Sequence, residues 1–201
     1  MSPAYSSFRA PVAAAWPLPG ARTVDMDTNH PFTAVYQQHV ERIYRYHLAR
    51  TGSVQDAQDL TAETFHAALE SFATYDPAQG AAVAWLTGIA RHKLADHFRR
   101  SRRNLETDPV EDQPDRGDSP EEISDHRLQM AQVAAALRRL PADRSDALSL
   151  HFFAGLSLSE TAQVMRRSEQ AVKKLIQRGL ADLRRQLASL SHQPVPVEVI
   201  K

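Results

Sequence analysis

From Phe32 onward, apolar side chains return every three or four residues: Phe32, Val35, Tyr36, Val40, Ile43, Tyr44 and Leu48. With 3.6 residues to a turn, that spacing lays them along one face of a helix. Gly52 stops it. Ser53 then caps a second helix, with Asp56 three residues on as in a capping box. Its inward stripe is Ala57, Leu60, Thr64, Phe65, Ala68, Leu69 and Phe72. The Asp-Pro and Gly signals of residues 74–80 mark a loop. A third helix follows, with Val83, Leu86, Ile89, Ala90, Leu94, His97 and Phe98 inward and the arginines outward. No stretch alternates apolar and polar residues as a half-buried strand does.

The pattern lapses over residues 104–119, where Pro109, Pro114 and Gly117 stand among acids. Such a composition buries too little apolar surface to offset the entropy of ordering it, so a flexible linker is expected. Ser119-Pro120-Glu121-Glu122 reads as a cap, a first-turn proline and an acidic first turn. The helix it opens runs through Leu128, Ala131, Val133, Ala134 and Leu137 to Leu140, and Pro141 breaks it. Three more helices are expected, at Ala142–Phe153, Leu158–Met165 and Glu169–Leu190. Residues 1–30, with Pro3, Pro11, Pro17 and Pro19, read as a disordered extension, and 191–201 as a loose tail. Met26, just ahead of the first regular pattern, is a candidate start. The expected fold is all-α: two small helical domains, 31–103 and 120–190, joined by a flexible acidic linker.

Charge changes this picture through its distribution. The total is zero, 24 basic residues against 24 acidic. From Asn104 to Asp125, however, nine acids face one base, Arg116, while Leu86–Arg103 holds six bases and one acid. A basic helix therefore adjoins an acidic connector, which could occupy a cationic nucleic-acid path on a partner or simply stay extended by self-repulsion.

Candidate chemistry is sparse. Without cysteine there is no disulfide, thiolate metal site or thiol nucleophile. His92 and His97, five apart, lack the HExxH frame or a cysteine partner of a zinc site. The seven glycines are dispersed rather than gathered in a phosphate-binding loop, and no nucleophile motif stands out. No run approaches the roughly 18 apolar residues that span a bilayer, and Val12–Trp16 is too short for a secretory signal. A cytoplasmic protein with no metal or cofactor and no enzymatic chemistry is expected.

The strongest local signal is LSLSETAQVMRRSEQAVKKLIQRGL. Ser157 and Glu160 form a capping box opening a short helix that buries Leu158, Ala162 and Val164 or Met165. After the break Arg166-Arg167-Ser168, a second helix begins. Helices joined by so short a turn cross steeply, leaving the second free to enter a major groove. Val172 and Ile176 face inward; Gln170, Ala171, Lys173, Lys174, Gln177 and Arg178 lie outward or flanking. Gln and Lys address base edges, while Lys and Arg neutralise phosphates. From Arg138 to Arg185, ten bases stand against five acids.

Three strings, DAQDLTAETFHAAL, YDPAQGAAVAWLTGIARHKLADHFRRSRR and LPADRSDALSLHFFAGLSLSETAQVMRRSEQAVKKL, together resemble regions two and four of extracytoplasmic-function sigma factors. The resemblance covers roughly residues 32–103 and 128–187. It implies a protein that binds RNA polymerase core and promoter DNA and is held by an anti-sigma factor. It also implies that Asp56, Asp59, Leu60, Glu63 and Phe65 dock on polymerase, with Leu60 as an apolar contact and Phe65 also readable as core. Reading and melting of the minus-ten element would fall to Tyr75, Asp76, Gln79, Trp85, Arg91, His92, Lys93, Asp96, Arg99 and Arg100. The minus-thirty-five element would be read by the outward residues of the helix-turn-helix. Arg166-Arg167 departs from the family's common glycine and apolar pair, Leu175 takes a position that is often basic, and His92 replaces a common asparagine. Gly179 weakens a helix interior by about 1 kcal/mol relative to alanine. A stand-alone DNA-binding regulator and a protein-binding helical adaptor are the competing classes.

Overall fold

The computed structural model describes residues 30–107 and 121–191, and among them there is no strand. Helix α1 (Pro31–Thr51) starts where the His30 ring accepts the Phe32 N–H and Pro31 takes the first turn. It ends at Gly52, whose φ of +74° suits a residue without a Cβ. Helix α2 (Val54–Glu70) is capped by Ser53, whose side chain accepts the Asp56 N–H. The Asp56 carboxylate lies 3.7 Å from His97 Nε2 on the next helix. Two single turns of 3-10 helix, Phe72–Thr74 and Pro77–Gln79, form the expected loop. Helix α3 (Ala82–Thr107) carries on four residues into the stretch read as linker. The remainder of that stretch, most of the acidic run, lies outside the described residues, as do the N-terminal extension with Met26 and the tail.

The second unit comprises α4 (Glu121–Arg138), α5 (Ala142–Leu148), α6 (Leu158–Met165) and α7 (Glu169–Ser191). The sequence pattern predicts one helix over Ala142–Phe153. Its second half instead winds into a π-turn, Ser149–Phe153, closed by the Ala154 N–H donating to the Ser149 carbonyl at 3.0 Å. Gly179 has a packing reason: a Cβ there would lie 2.8 Å from Leu148 Cδ1, so glycine lets α7 close onto α5. Arg144 ties the same two helices through Asp182. Its hydrogen bond, seconded by Arg185, holds that carboxyl below the usual carboxylate range.

Each unit has a core. The first gathers Phe32, Ile43, Leu60, Phe65, Val83, Leu86 and Leu94; the second gathers Leu137, Leu140, Leu148, Val172 and Ile176. The periodicity of α2 is reproduced closely, but that of α1 is only half the story. Tyr46 and Ala49, off the predicted stripe, are fully buried because the second unit covers that side of the helix. Leu150, Ala154 and Leu156 join the first unit's core, and Ala49 joins the second's. The two units are therefore docked, with α1 packed between α2 on one side and α4 with the π-turn on the other.

His47 is sealed between α1 and α2. Thr64 Oγ1 donates to the Leu60 carbonyl, so His47 Nε2 supplies the proton of their 3.1 Å hydrogen bond. Nδ1 is left buried without a partner. Burial, and then the nearby His97, push its pKa down to about 3 from the ordinary 6.5. His39 is lowered too, by burial and then by Arg42. An unfolded chain binds protons at these rings before the folded one does, so the stability they lend is present above pH 6.5 and is lost as pH falls, for His47 as far as about pH 3. The loss due to His47 should approach about 1.4 kcal/mol per pH unit. Denaturant melts between pH 7.5 and 5 should show a shallower slope for His47→Gln; an unchanged slope would place the titration elsewhere.

Candidate nucleic-acid interface

The loop between α2 and α3 is built around stacked aromatics. Tyr75 lies over Trp85 with ring centroids 4.7 Å apart and planes 27° off parallel, and Phe72 continues the stack at 6.1 Å. The Tyr75 hydroxyl donates to the Gly80 carbonyl at 3.1 Å, and the Asp76 carboxylate accepts the Ala78 N–H at 2.9 Å, which pins the loop. Beside them opens a cleft of about 380 Å³ lined by Tyr75, Asp76 and Trp85 together with Gln163 and Val164 of α6. Tyr75 and Trp85 are half-buried, so each ring shares its area between packing and the cleft. Gln79 lies on the second 3-10 turn of the same loop.

Along α3, His92, Arg99 and Arg100 are exposed. Asp96 pairs with Arg99 at 2.9 Å, one turn on. Lys93 and Arg100 lie 3.9 and 3.7 Å from the two oxygens of Glu63, so this partly exposed carboxylate also meets its neighbours on α3. Arg91 departs from the expectation that the arginines point outward. Its guanidinium is turned into the seam between the units, bonding Asp146 at 2.8 Å and the Val164 carbonyl at 3.0 Å. Here an available half-buried carboxylate overrides the surface preference of a charge.

On α2, Asp56, Asp59 and Glu63 reach the surface, Asp59 most fully. Leu60 and Phe65 do not: they are 2% and 5% exposed and belong to the first core. The expected apolar contact from Leu60 is thereby corrected, since helical spacing aims it into the first core rather than at a partner. Phe65 packs edge-on against Tyr36 at 4.8 Å, the core reading of that residue.

In the second unit the reciprocal capping box of Ser157 and Glu160 opens α6, at 3.1 and 2.7 Å. Ser168 then caps α7, accepting the Ala171 N–H at 3.2 Å. Val172 and Ile176 are buried, anchoring α7, while Gln170, Lys173, Lys174, Gln177 and Arg178 are exposed and Ala171 flanks them. The turn between the helices explains the departure at Arg166: it sits at φ 52° and ψ 48°, left-handed backbone that a glycine adopts freely. Asp146 and the α6 wall of the cleft were missed by the sequence pattern. A lone acid in a short helix carries no spacing signal, and nothing local tells that α6 meets the loop. Among the described residues, no three His, Asp or Glu side chains are placed to share a metal ion, and no helix is long and apolar enough to cross a membrane.

The geometry defines a two-unit helical protein, one unit with an aromatic cleft beside a basic helix, the other with a helix-turn-helix whose second helix presents free cations. Residues 35–104 match the family model for Sigma-70 region 2 and residues 130–183 that for Sigma-70, region 4. The chain is 39% identical over 158 residues to ECF RNA polymerase sigma factor BldN of Streptomyces coelicolor, covering 78% of this chain and 60% of that protein. It is 34% identical over 139 residues to ECF RNA polymerase sigma factor SigC of Mycobacterium tuberculosis, covering 66% and 69%. A solved structure of CnrH in complex with the cytosolic domain of CnrY superposes with a TM-score of 0.60 at 25% identity, over 79% of this chain and 88% of that one. The chain belongs to the extracytoplasmic-function sigma factors.

The left-handed turn yields a test. A non-glycine residue in that conformation costs about 1–2 kcal/mol, which glycine relieves while adding about 0.5–1 kcal/mol of unfolded-state entropy. Arg166→Gly should therefore raise unfolding stability by up to about 1 kcal/mol in urea titration, and a loss of stability would show that the Arg166 side chain itself holds the turn.

Proposed function

We propose that this chain directs promoter-specific transcription initiation in the cytoplasm, as a dissociable subunit of bacterial RNA polymerase that performs no chemistry itself. Asp56, Asp59 and Glu63 on α2 offer an acidic surface to core polymerase. The Tyr75–Trp85 cleft captures an unstacked minus-ten base, as opened strands are held by stacking surfaces and nearby cations. His92, Lys93, Arg99 and Arg100, with Arg91 once freed, line the path of the phosphates. Helix α7 reads the minus-thirty-five element, Gln170 and Gln177 at base edges and Lys173, Lys174 and Arg178 at phosphates. The observation that carries the reading is the pairing of the stacked-aromatic cleft with a capped recognition helix whose five polar side chains are exposed. An anti-sigma factor is the expected antagonist, since the structural relative CnrH is held by the cytosolic domain of CnrY.

Purified core polymerase is silent at a specific promoter, and adding this protein should give run-off transcripts of defined length. Absence of such transcripts, with the helix-turn-helix still binding duplex DNA, would favour a stand-alone regulator. Lys174→Ala should weaken duplex binding by a similar factor on all sequences and flatten the log–log salt slope by about 0.9. Gln177→Ala should cost about 1–3 kcal/mol on the preferred site and little elsewhere; fluorescence anisotropy at several salt concentrations separates the two.

A further inference from the structure

The seam between the units is organised around one carboxylate. Asp146 of α5, only 19% exposed, accepts from Arg50 of α1 through one oxygen and from Arg91 of α3 at 2.8 Å through the other. Four more bonds, from three arginines, cross the seam onto main chain. Arg91 donates to the Val164 carbonyl, Arg138 of α4 to the Thr51 carbonyl at 3.0 Å, and Arg42 of α1 to the Ala154 carbonyl at 2.8 Å and to Gly155. Between α1 and α4 the approach is close enough that a Cβ on Gly52 would lie 2.9 Å from that of Ala134.

We propose that this seam is a latch that holds the free protein in a self-masked state, with Asp146 as its bolt and Arg91 as the side chain it withholds from DNA. The proposal rests on the promoter-binding function above. Closed, the protein keeps Arg91 on a carboxylate rather than on phosphate, and α6 walls the cleft that would receive a base. It also cannot serve both promoter elements. Their names set them about 25 base pairs apart, about 85 Å of duplex at 3.4 Å per step. A compact body of the described size has a radius of gyration of only about 15 Å. Opening is therefore required; it must also uncover Leu150, Ala154 and Leu156, but the polar part of the seam suits it. Charged pairs and arginine-to-carbonyl bonds exchange readily for water, phosphate or an acidic partner, while removal of one member strands the others in a partly buried place.

The absence of native cysteine permits two spin labels, at His66→Cys on α2 and Arg184→Cys on α7, both exposed positions outside the seam. The full chain should give one narrow distance distribution. Asp146→Asn should broaden and lengthen it, raising the open-to-closed ratio about tenfold or more, with a matching gain in affinity for a single-stranded oligonucleotide. Arg138→Ala, which removes only an exposed bond to Thr51, should shift the ratio the same way by about two- to tenfold; it decides the matter if Asp146→Asn loses its helical circular dichroism. A distribution already broad in the unaltered chain, or one that a folded Asp146→Asn or, failing that, Arg138→Ala leaves unmoved, overturns the latch. Run-off transcription is read separately. Its failure beside a narrow distribution removes the promoter reading and leaves the closed body standing, whereas success beside an open unaltered chain removes the latch alone.

Discussion

Burial of α1 on two opposite sides is the constraint on which the rest of the molecule depends. A helix that served only the first unit would need a single apolar stripe, and Phe32, Ile43 and Leu48 supply one. Tyr46 and Ala49 give it a second contact surface, and Leu150, Ala154 and Leu156 of the other unit close over the first core. At about 25 cal/mol per Å² of apolar surface, such side chains contribute on the order of 1.5–3 kcal/mol each when fully buried. The relative placement of cleft and recognition helix follows from that shared helix.

The cations fall into two populations by what α1 and its neighbours leave open. Arg42, Arg50 and Arg91 are committed to the seam, and Lys93 to an ion pair with α2. Lys173, Lys174 and Arg178 stand exposed on α7, as Arg99 does on α3, although Arg99 leans on Asp96. A formal charge of zero thus conceals local sites able to meet a polyanion, and only geometry separates these from arginines that fasten the protein to itself.

Much of this was legible in the sequence. Period and capping placed the helices of the first unit, the helix-turn-helix and its inward Val172 and Ile176, because each depends on residues within a turn or two of one another. What was hidden depends on distant residues. The second contact face of α1 rests on Tyr46 and Ala49, which extend no apolar stripe. Arg91 reads as a surface charge until a carboxylate from another unit is brought to it. Leu60 is given to a partner by the family resemblance, whereas the helical spacing already sets it on the inward stripe, and the structure buries it. Gly179 looked like a weakness and is a close approach, visible only when Leu148 lies across from it. The π-turn after α5 has no local signal that we can name.

The seam bonds of Arg42 and Arg138, and one of the two made by Arg91, end on carbonyl oxygens of the backbone. Every residue has such an oxygen whatever its side chain, so Ala154, Val164 and Thr51 can be replaced over evolutionary time without removing the acceptor they present. The donors have no such freedom, since a lysine lacks the planar fork and a neutral residue lacks the charge. Sequence divergence at this joint should accordingly be lopsided, with wide drift among the accepting residues and little among the arginines that reach them.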